Sequence, residues 1–274
     1  MELRTSPDAR AFLAETAAYR AADPVRTNVL GSVATGVAQG RRYESETWYV
    51  VEHDGAVAGA ALWTEPYRLL VGPMDAAAAD ALAAGILASG RRPPGVIGPS
   101  EVAHRVAASA GWVTAPRMRE RLLVLGEFVP AAGVPGEARA LGEDDVDLAA
   151  DWMRRFAEDA GTFLPDPRES VLARLDSFRF WEVDGVPVSM AGHAPLVDYP
   201  GGAVARIGPV YTPAEHRRQG YAAAVTSAVV ADVLGRASTV MLYTDAANPT
   251  SNGVYERLGF AVVAEVADLD VTGP

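Results

Sequence analysis

Apolar and polar positions along the chain spell one motif twice. Trp48-Tyr-Val-Val-Glu-His-Asp54-Gly55-Ala-Val-Ala-Gly-Ala-Ala and Phe180-Trp-Glu-Val-Asp184-Gly185-Val-Pro-Val-Ser-Met-Ala-Gly each read as apolar strand, Asp-Gly turn, apolar strand. Asp-Gly is the pair a tight β-hairpin favours, because both turn residues need positive φ. The two pairs lie 130 residues apart. Helical periodicity precedes both hairpins, over 6–19 and 25–38 in the first half and over 144–160 and 168–177 in the second. Strands are predicted over 66–71, 96–97 and 119–125, and a further strand over 138–141 opens the second half. Between them Val129-Pro-Ala-Ala-Gly-Val-Pro-Gly136 has no periodicity and reads as a linker. A duplicated α/β unit, 1–130 and 137–274, accounts for this pattern.

The halves differ in one respect. Arg206-Ile-Gly-Pro-Val-Tyr-Thr-Pro-Ala-Glu-His-Arg-Arg-Gln-Gly-Tyr-Ala222 reads as a strand and a turn, with Arg217-x-x-Gly220-x-Ala222 opening an Ala-rich helix. Gly220 has no side chain, so backbone can approach a ligand, and free amides at a helix start suit a pyrophosphate. A second helix opens at Asn248-Pro-Thr-Ser-Asn-Gly-Val-Tyr255, with Asn248 as N-cap and Pro249 at the first helical position. The first half has only Arg92-Pro-Pro-Gly95 at the comparable place, and that leads into a strand rather than a helix.

These two segments, in this order, resemble the GNAT superfamily of N-acetyltransferases, whose acetyl-CoA site uses a Q/R-x-x-G-x-G/A loop and a later N-x-x-A/S-x-x-x-Y helix. The resemblance implies an α/β (α+β) fold of two tandem GNAT-like domains, each a mixed, mostly antiparallel sheet flanked by helices. Residues 1–130 would be a degenerate domain without a cofactor loop and 137–274 the catalytic domain. It implies acetyl-CoA as donor, with Val210, Tyr211 and Thr212 along the pantetheine arm. Arg217, Arg218, Gln219, Gly220, Tyr221 and Ala222 would hold the pyrophosphate, and Asn248, Ser251 and Tyr255 would line the thioester. Tyr255 is the expected acid for the departing thiolate, since a phenol with a reference pKa near 10 stays protonated at neutral pH. The glutamate that many members carry on the strand before the loop is missing from Ala203-Val-Ala-Arg-Ile-Gly-Pro-Val. The base is therefore left open among His193, Asp198, Glu182 and a water chain.

Composition narrows the chemistry. The 274 residues are 49% hydrophobic, include no cysteine, and take all 24 basic residues as arginine. Thiolate catalysis, disulfides, a P-loop lysine and a pyridoxal Schiff base are excluded. The four scattered histidines predict no metal site. Arginine in place of lysine, with much Ala, Gly and Pro, fits a GC-rich coding sequence and a bacterial source. No apolar run of membrane-spanning length and no export signal is present, so a cytoplasmic protein without membrane contact is expected. Net charge is −11, and residues 131–274 carry −10 of it, which disfavours nucleic acid and favours a cationic acceptor. The expected acceptor is a small-molecule primary amine. The alternatives are a non-catalytic acyl-CoA-binding module and a mycothiol-synthase-like tandem acetyltransferase.

Overall fold

The computed structural model describes residues 1–162 and 164–273. The first half runs β1 (Glu2–Ser6), α1 (Ala9–Glu15), α2 (Ala17–Ala22), α3 (Asn28–Ala38), β2 (Ser45–His53), β3 (Ala56–Glu65), β4 (Leu69–Val71), α4 (Ala76–Ala88), β5 (Gly95–Pro99), α5 (Ser100–Ser109) and β6 (Val113–Leu125). The second runs β7 (Glu137–Ala140), α6 (Val146–Asp159), α7 (Pro167–Leu172), β8 (Phe178–Val183), β9 (Val186–His193), β10 (Val197–Tyr199), β11 (Gly202–Tyr211), α8 (Tyr221–Leu234), β12 (Thr239–Asp245), α9 (Pro249–Arg257) and β13 (Phe260–Gly273).

Both Asp-Gly pairs form the predicted turns. Asp54 and Asp184 each sit at φ 51°, followed by Gly55 at 79° and Gly185 at 76°. The residues flanking them pair directly, His53 with Ala56 and Val183 with Val186. One expectation fails. The 6–19 pattern is not one helix: Ser6 ends an edge strand, Glu2–Ser6, that pairs antiparallel with β2, and the remainder divides into α1 and the start of α2. Asp8 then caps α1 by accepting from the Ala11 amide, and the chain breaks again at Thr16, whose buried hydroxyl returns to the Phe12 carbonyl.

All these strands form one sheet, ordered β1-β2-β3-β4-β5-β13-β6-β12-β11-β9-β8-β7, with β10 alongside β11. The order is a palindrome about its centre. The β4–β5 and β11–β12 pairs are parallel, and the other pairs are antiparallel. The centre is a reciprocal exchange: β6 of the first half lies between β13 and β12, and β13 of the second lies between β5 and β6. The β6–β13 ladder runs from Phe260↔Leu125 to Gly273↔Val113.

Strand alternation sorts the core into layers. Tyr49, Val51, Ala61 and Trp63 pack under α4 and α5, whereas Trp48, Val50, Ala60 and Leu62 pack under α1 and α3. In the second half Ala191, Ala205 and Leu242 meet α8 and α9, while Phe178, Phe180 and Met190 meet α6 and α7. Leu122, Val204 and Met241 form a small buried cluster with Val25 just before α3, where the two halves meet. No helix among the described residues is long and apolar enough to cross a membrane.

Candidate active site

A wedge opens in the second half between β11 and β12. Their parallel ladder runs from Val204↔Thr239 to Ile207↔Leu242 and stops there, although β11 continues to Tyr211 and β12 to Asp245. The cause is local: Gly208 sits at φ 144° and Pro209 has no N–H to give a ladder. Pairing with β9 shifts register between Ile207 and Val210, which reverses the facing of the residues beyond. Val210 therefore packs toward α8, and Tyr211 toward α6 beside Trp152. Ser189 fixes the strand end, its hydroxyl 3.1 Å from the Tyr211 carbonyl and 2.7 Å from the Thr212 hydroxyl.

At the mouth of the wedge the chain turns into α8. Arg218 has φ 64° and Gly220 φ 88°, and no side chain caps the helix. Residues 217–220 are exposed, and the amides of Arg218, Gln219 and Gly220 make no hydrogen bond among the described residues. The first-turn amides of Tyr221, Ala222 and Ala223 lack intrahelical partners by geometry. Consecutive donors at the positive end of a helix dipole form an anion cradle. Arg217 shapes the loop: its Nε donates to the Thr212 carbonyl at 2.9 Å and its Nη2 pairs with Asp159 at 2.8 Å. Arg218 has no ion-pair partner among the described residues. The Gln219 side-chain oxygen accepts from the Tyr221 hydroxyl at 3.1 Å.

The equivalent helix of the first half, α4, is closed to anions. Its N-cap Asp75 accepts from the Ala78 amide, placing a carboxylate where a phosphate would sit. The difference between halves is thus one of charge as well as shape.

Helix α9 borders the wedge on the α8 side. Asn248 accepts from the Ser251 amide at 3.1 Å, so its side chain caps its own helix, and Ser251 is half-buried on the first turn. Asn252, which the sequence reading missed, ties α9 to the end of β12 through its Nδ2, 3.3 Å from the Asp245 carbonyl. Tyr255 is buried in one cluster with Ile207 and Leu242, the last pair of the ladder, and its ring meets Phe260 edge-on at 6.1 Å. Its hydroxyl makes no hydrogen bond among the described residues, and burial pushes its pKa up to about 12.

On the opposite face lies a cavity of about 850 Å³ between the halves. Its floor includes Glu120 and Leu122 of β6, Arg206 of β11, Tyr243 of β12 and Val266 of β13, and α3 contributes Leu30 and Val33. Gly161 and Thr162, just after α6, complete the rim from the second half. Glu120 of β6 is the register partner of Asp245, the end of β12 that borders the wedge. Burial, then repulsion from Asp268, raises the Glu120 carboxyl to about 7, with Arg206 and Arg117 pulling the other way. A carboxyl poised there can accept a proton near neutral pH.

None of the three side chains left open as bases lines this cavity. His193 is buried with Nδ1 at the Ala194 carbonyl, and burial lowers its pKa. Glu182 is paired with Arg139, and Asp198 sits on the outlying β10. Glu120 escaped the sequence reading because Arg119-Glu-Arg121 looks like an ordinary exposed strand alternation. Only the strand exchange carries it into the second half.

The comparisons agree with this arrangement. Residues 199–267, from β10 into β13, match the family described as FR47-like protein. No curated protein matches the chain. Among solved structures, a GNAT-family acetyltransferase from Colwellia psychrerythraea aligns over 99% of this chain and 100% of its own, with TM-score 0.64 at 10% identity. A tandem GNAT protein from the clavulanic acid biosynthesis pathway covers 100% of both chains, with TM-score 0.60 at 14% identity. A GCN5-related N-acetyltransferase from Sphaerobacter thermophilus covers 99% and 96%, with TM-score 0.60 at 18% identity. At such identities the likeness is one of fold, and it extends over both halves and the exchanged centre. These comparisons show a fold shared with GNAT acetyltransferases over both halves of the chain, and an FR47-like segment over residues 199–267.

Proposed function

We propose that this protein is an acetyl-CoA-dependent N-acetyltransferase that acetylates a small primary amine held in the cavity between its halves. The observation that carries the reading is the wedge itself. An uncapped anion cradle stands at its mouth, a free phenol on one side and a carboxyl of raised pKa on the other.

The residues present suit the donor. Amides from Arg218 to Ala223 are free for a diphosphate, with Arg218 beside them, and the unpaired β11 edge over Val210 to Thr212 is open to the amide-bearing arm. Acetyl-CoA, when bound, supplies an acetyl group activated as a thioester. Glu120 takes the proton of the incoming ammonium, leaving a neutral amine. The amine nitrogen attacks the carbonyl carbon; the C–N bond forms, the C–S bond breaks and its electron pair leaves on sulfur. The Tyr255 hydroxyl gives that sulfur a proton and regains one through solvent from the nitrogen as it becomes an amide. A backbone N–H of Val210 or Tyr211 polarises the carbonyl oxygen.

This reading divides the labour between the halves. The second, 137–274, binds the donor, and the first, 1–130, gives up donor binding and supplies the base and one wall of the acceptor site. The test is release of free CoA from acetyl-CoA against a panel of amines, with the acetylated product identified by mass. Donor binding without release for any amine would favour the non-catalytic acyl-CoA-binding alternative.

A further inference from the structure

The cavity's charges point to a substrate class, on the reading that this cavity is the acceptor site. Of the arginines that line it, Arg68 and Arg117 are neutralised by Asp268 and Asp270, and Arg26 pairs with Asp23. Arg41 lies exposed at the rim. Arg206 is different. Its Nε donates to Asn28 Oδ1 at 3.1 Å and its Nη2 to Ser32 Oγ at 3.3 Å, both neutral groups from α3. Nη1 makes no hydrogen bond, and no carboxylate pairs with this guanidinium among the described residues.

An enclosed guanidinium with only neutral partners is costly without an anion. Glu120 does not fill the role. The two feel each other's charge but form no ion pair, so space separates them. Tyr243 stands beside Arg206, two residues along β12 from its register partner Met241, and its hydroxyl has no hydrogen-bond partner among the described residues. One region of the cavity thus offers a cation and a phenol, and nearby stands a carboxyl. Much of the remaining wall is apolar, with Leu30, Val33, Leu62, Leu70 and Val266, and Tyr43 and Tyr67 add aromatic rings.

We propose that the acceptor is an α-amino acid with a large apolar side chain, its carboxylate on Arg206 and Tyr243 and its amino group toward Glu120. Adjacent opposite charges on the ligand match adjacent opposite charges in the cavity, and the apolar wall takes the side chain. A simple amine would leave Arg206 unpaired, and an anion without an amine would leave Glu120 idle.

The test compares L-phenylalanine with 2-phenylethylamine, which differ only by the carboxylate. Binding is read by saturation-transfer NMR with CoA present, and turnover by CoA release. The wild type should prefer the amino acid in kcat/KM by roughly 10- to 100-fold, the worth of charge-assisted hydrogen bonds. Arg206→Gln should bring that ratio close to one, and Arg206→Lys, which keeps the charge but not the fork, should give an intermediate ratio. Equal use of both acceptors by the wild type, or a ratio unmoved by both substitutions, overturns the inference. The outcomes separate it from the transferase reading. Turnover of phenylethylamine with no binding of phenylalanine sinks the amino-acid acceptor alone. Binding of phenylalanine that Arg206→Gln abolishes, in a protein that never turns over acetyl-CoA, supports the ligand class and sinks the transferase.

Discussion

Glu120→Gln perturbs the proposed base while keeping the side chain's shape, and its effects on stability and activity have opposite signs. Burial holds the folded carboxyl up to about 7, against 4.5 for the ordinary group. Between those values the folded protein binds a proton that the unfolded chain has released, so stability falls as pH rises through the window. At about 1.4 kcal/mol per pH unit, the gap amounts to roughly 3 kcal/mol, lost progressively from about pH 4.5 to 7. Glutamine does not ionise. The variant should therefore match the wild type near pH 4.5 and exceed it by up to about 3 kcal/mol at pH 8, measured by urea unfolding at several pH values. Activity should move the other way, with kcat/KM lower by about 10²–10⁴-fold and the rising limb near pH 7 lost. A stability difference that is flat with pH would refute the buried-carboxyl argument. An unchanged limb in the pH–rate profile would refute Glu120 as base.

Three further outcomes follow from the same geometry. Tyr255→Phe should lower kcat by about 10²-fold or more with little change in KM for acetyl-CoA and little loss of stability, since its hydroxyl makes no hydrogen bond among the described residues; kinetics equal to wild type would remove its acid role. Gly220→Val should abolish thermal stabilisation by acetyl-CoA and cost about 1–2 kcal/mol of stability, because φ is 88° and an added Cβ would lie 3.1 Å from Val134; wild-type stabilisation by the donor would contradict the cradle. A fragment lacking residues 1–130 should be insoluble, because it loses β6 from between β12 and β13 and exposes Leu242 and Phe260, which pack against Leu123 of that strand; a soluble fragment that binds acetyl-CoA would show that the exchange is dispensable.

What could be read from the sequence was local. The hairpins were legible because Asp-Gly specifies a turn wherever it falls, and the cradle because Gly220 and the helix opening are within a few residues of each other. Asn248 was recognisable as a cap, and the structure gives its side chain that role. Four things were not legible. The short edge strand Glu2–Ser6 carries no strand signal of its own, because its pattern is brief and its identity depends on pairing with β2. The exchange of β6 and β13 rests on ladders between residues more than a hundred positions apart, and nothing local in either strand distinguishes that pairing from a conventional one. Glu120 followed from the exchange, since a carboxylate between two arginines carries no sign that both neighbours turn away while it faces a cavity. Arg206 carries no local mark of its surroundings either, because its neutral partners Asn28 and Ser32 lie on α3 of the other half.

On the proposed reading, donor and acceptor meet in the wedge between β11 and β12. A crystal structure with CoA bound tests it most directly. The diphosphate should accept hydrogen bonds from the amides around Gly220, and the thiol should reach past Ile207 and Leu242 to lie near Tyr255, within sight of Glu120. CoA bound elsewhere, or a thiol pointing away from the cavity that Glu120 lines, would contradict it.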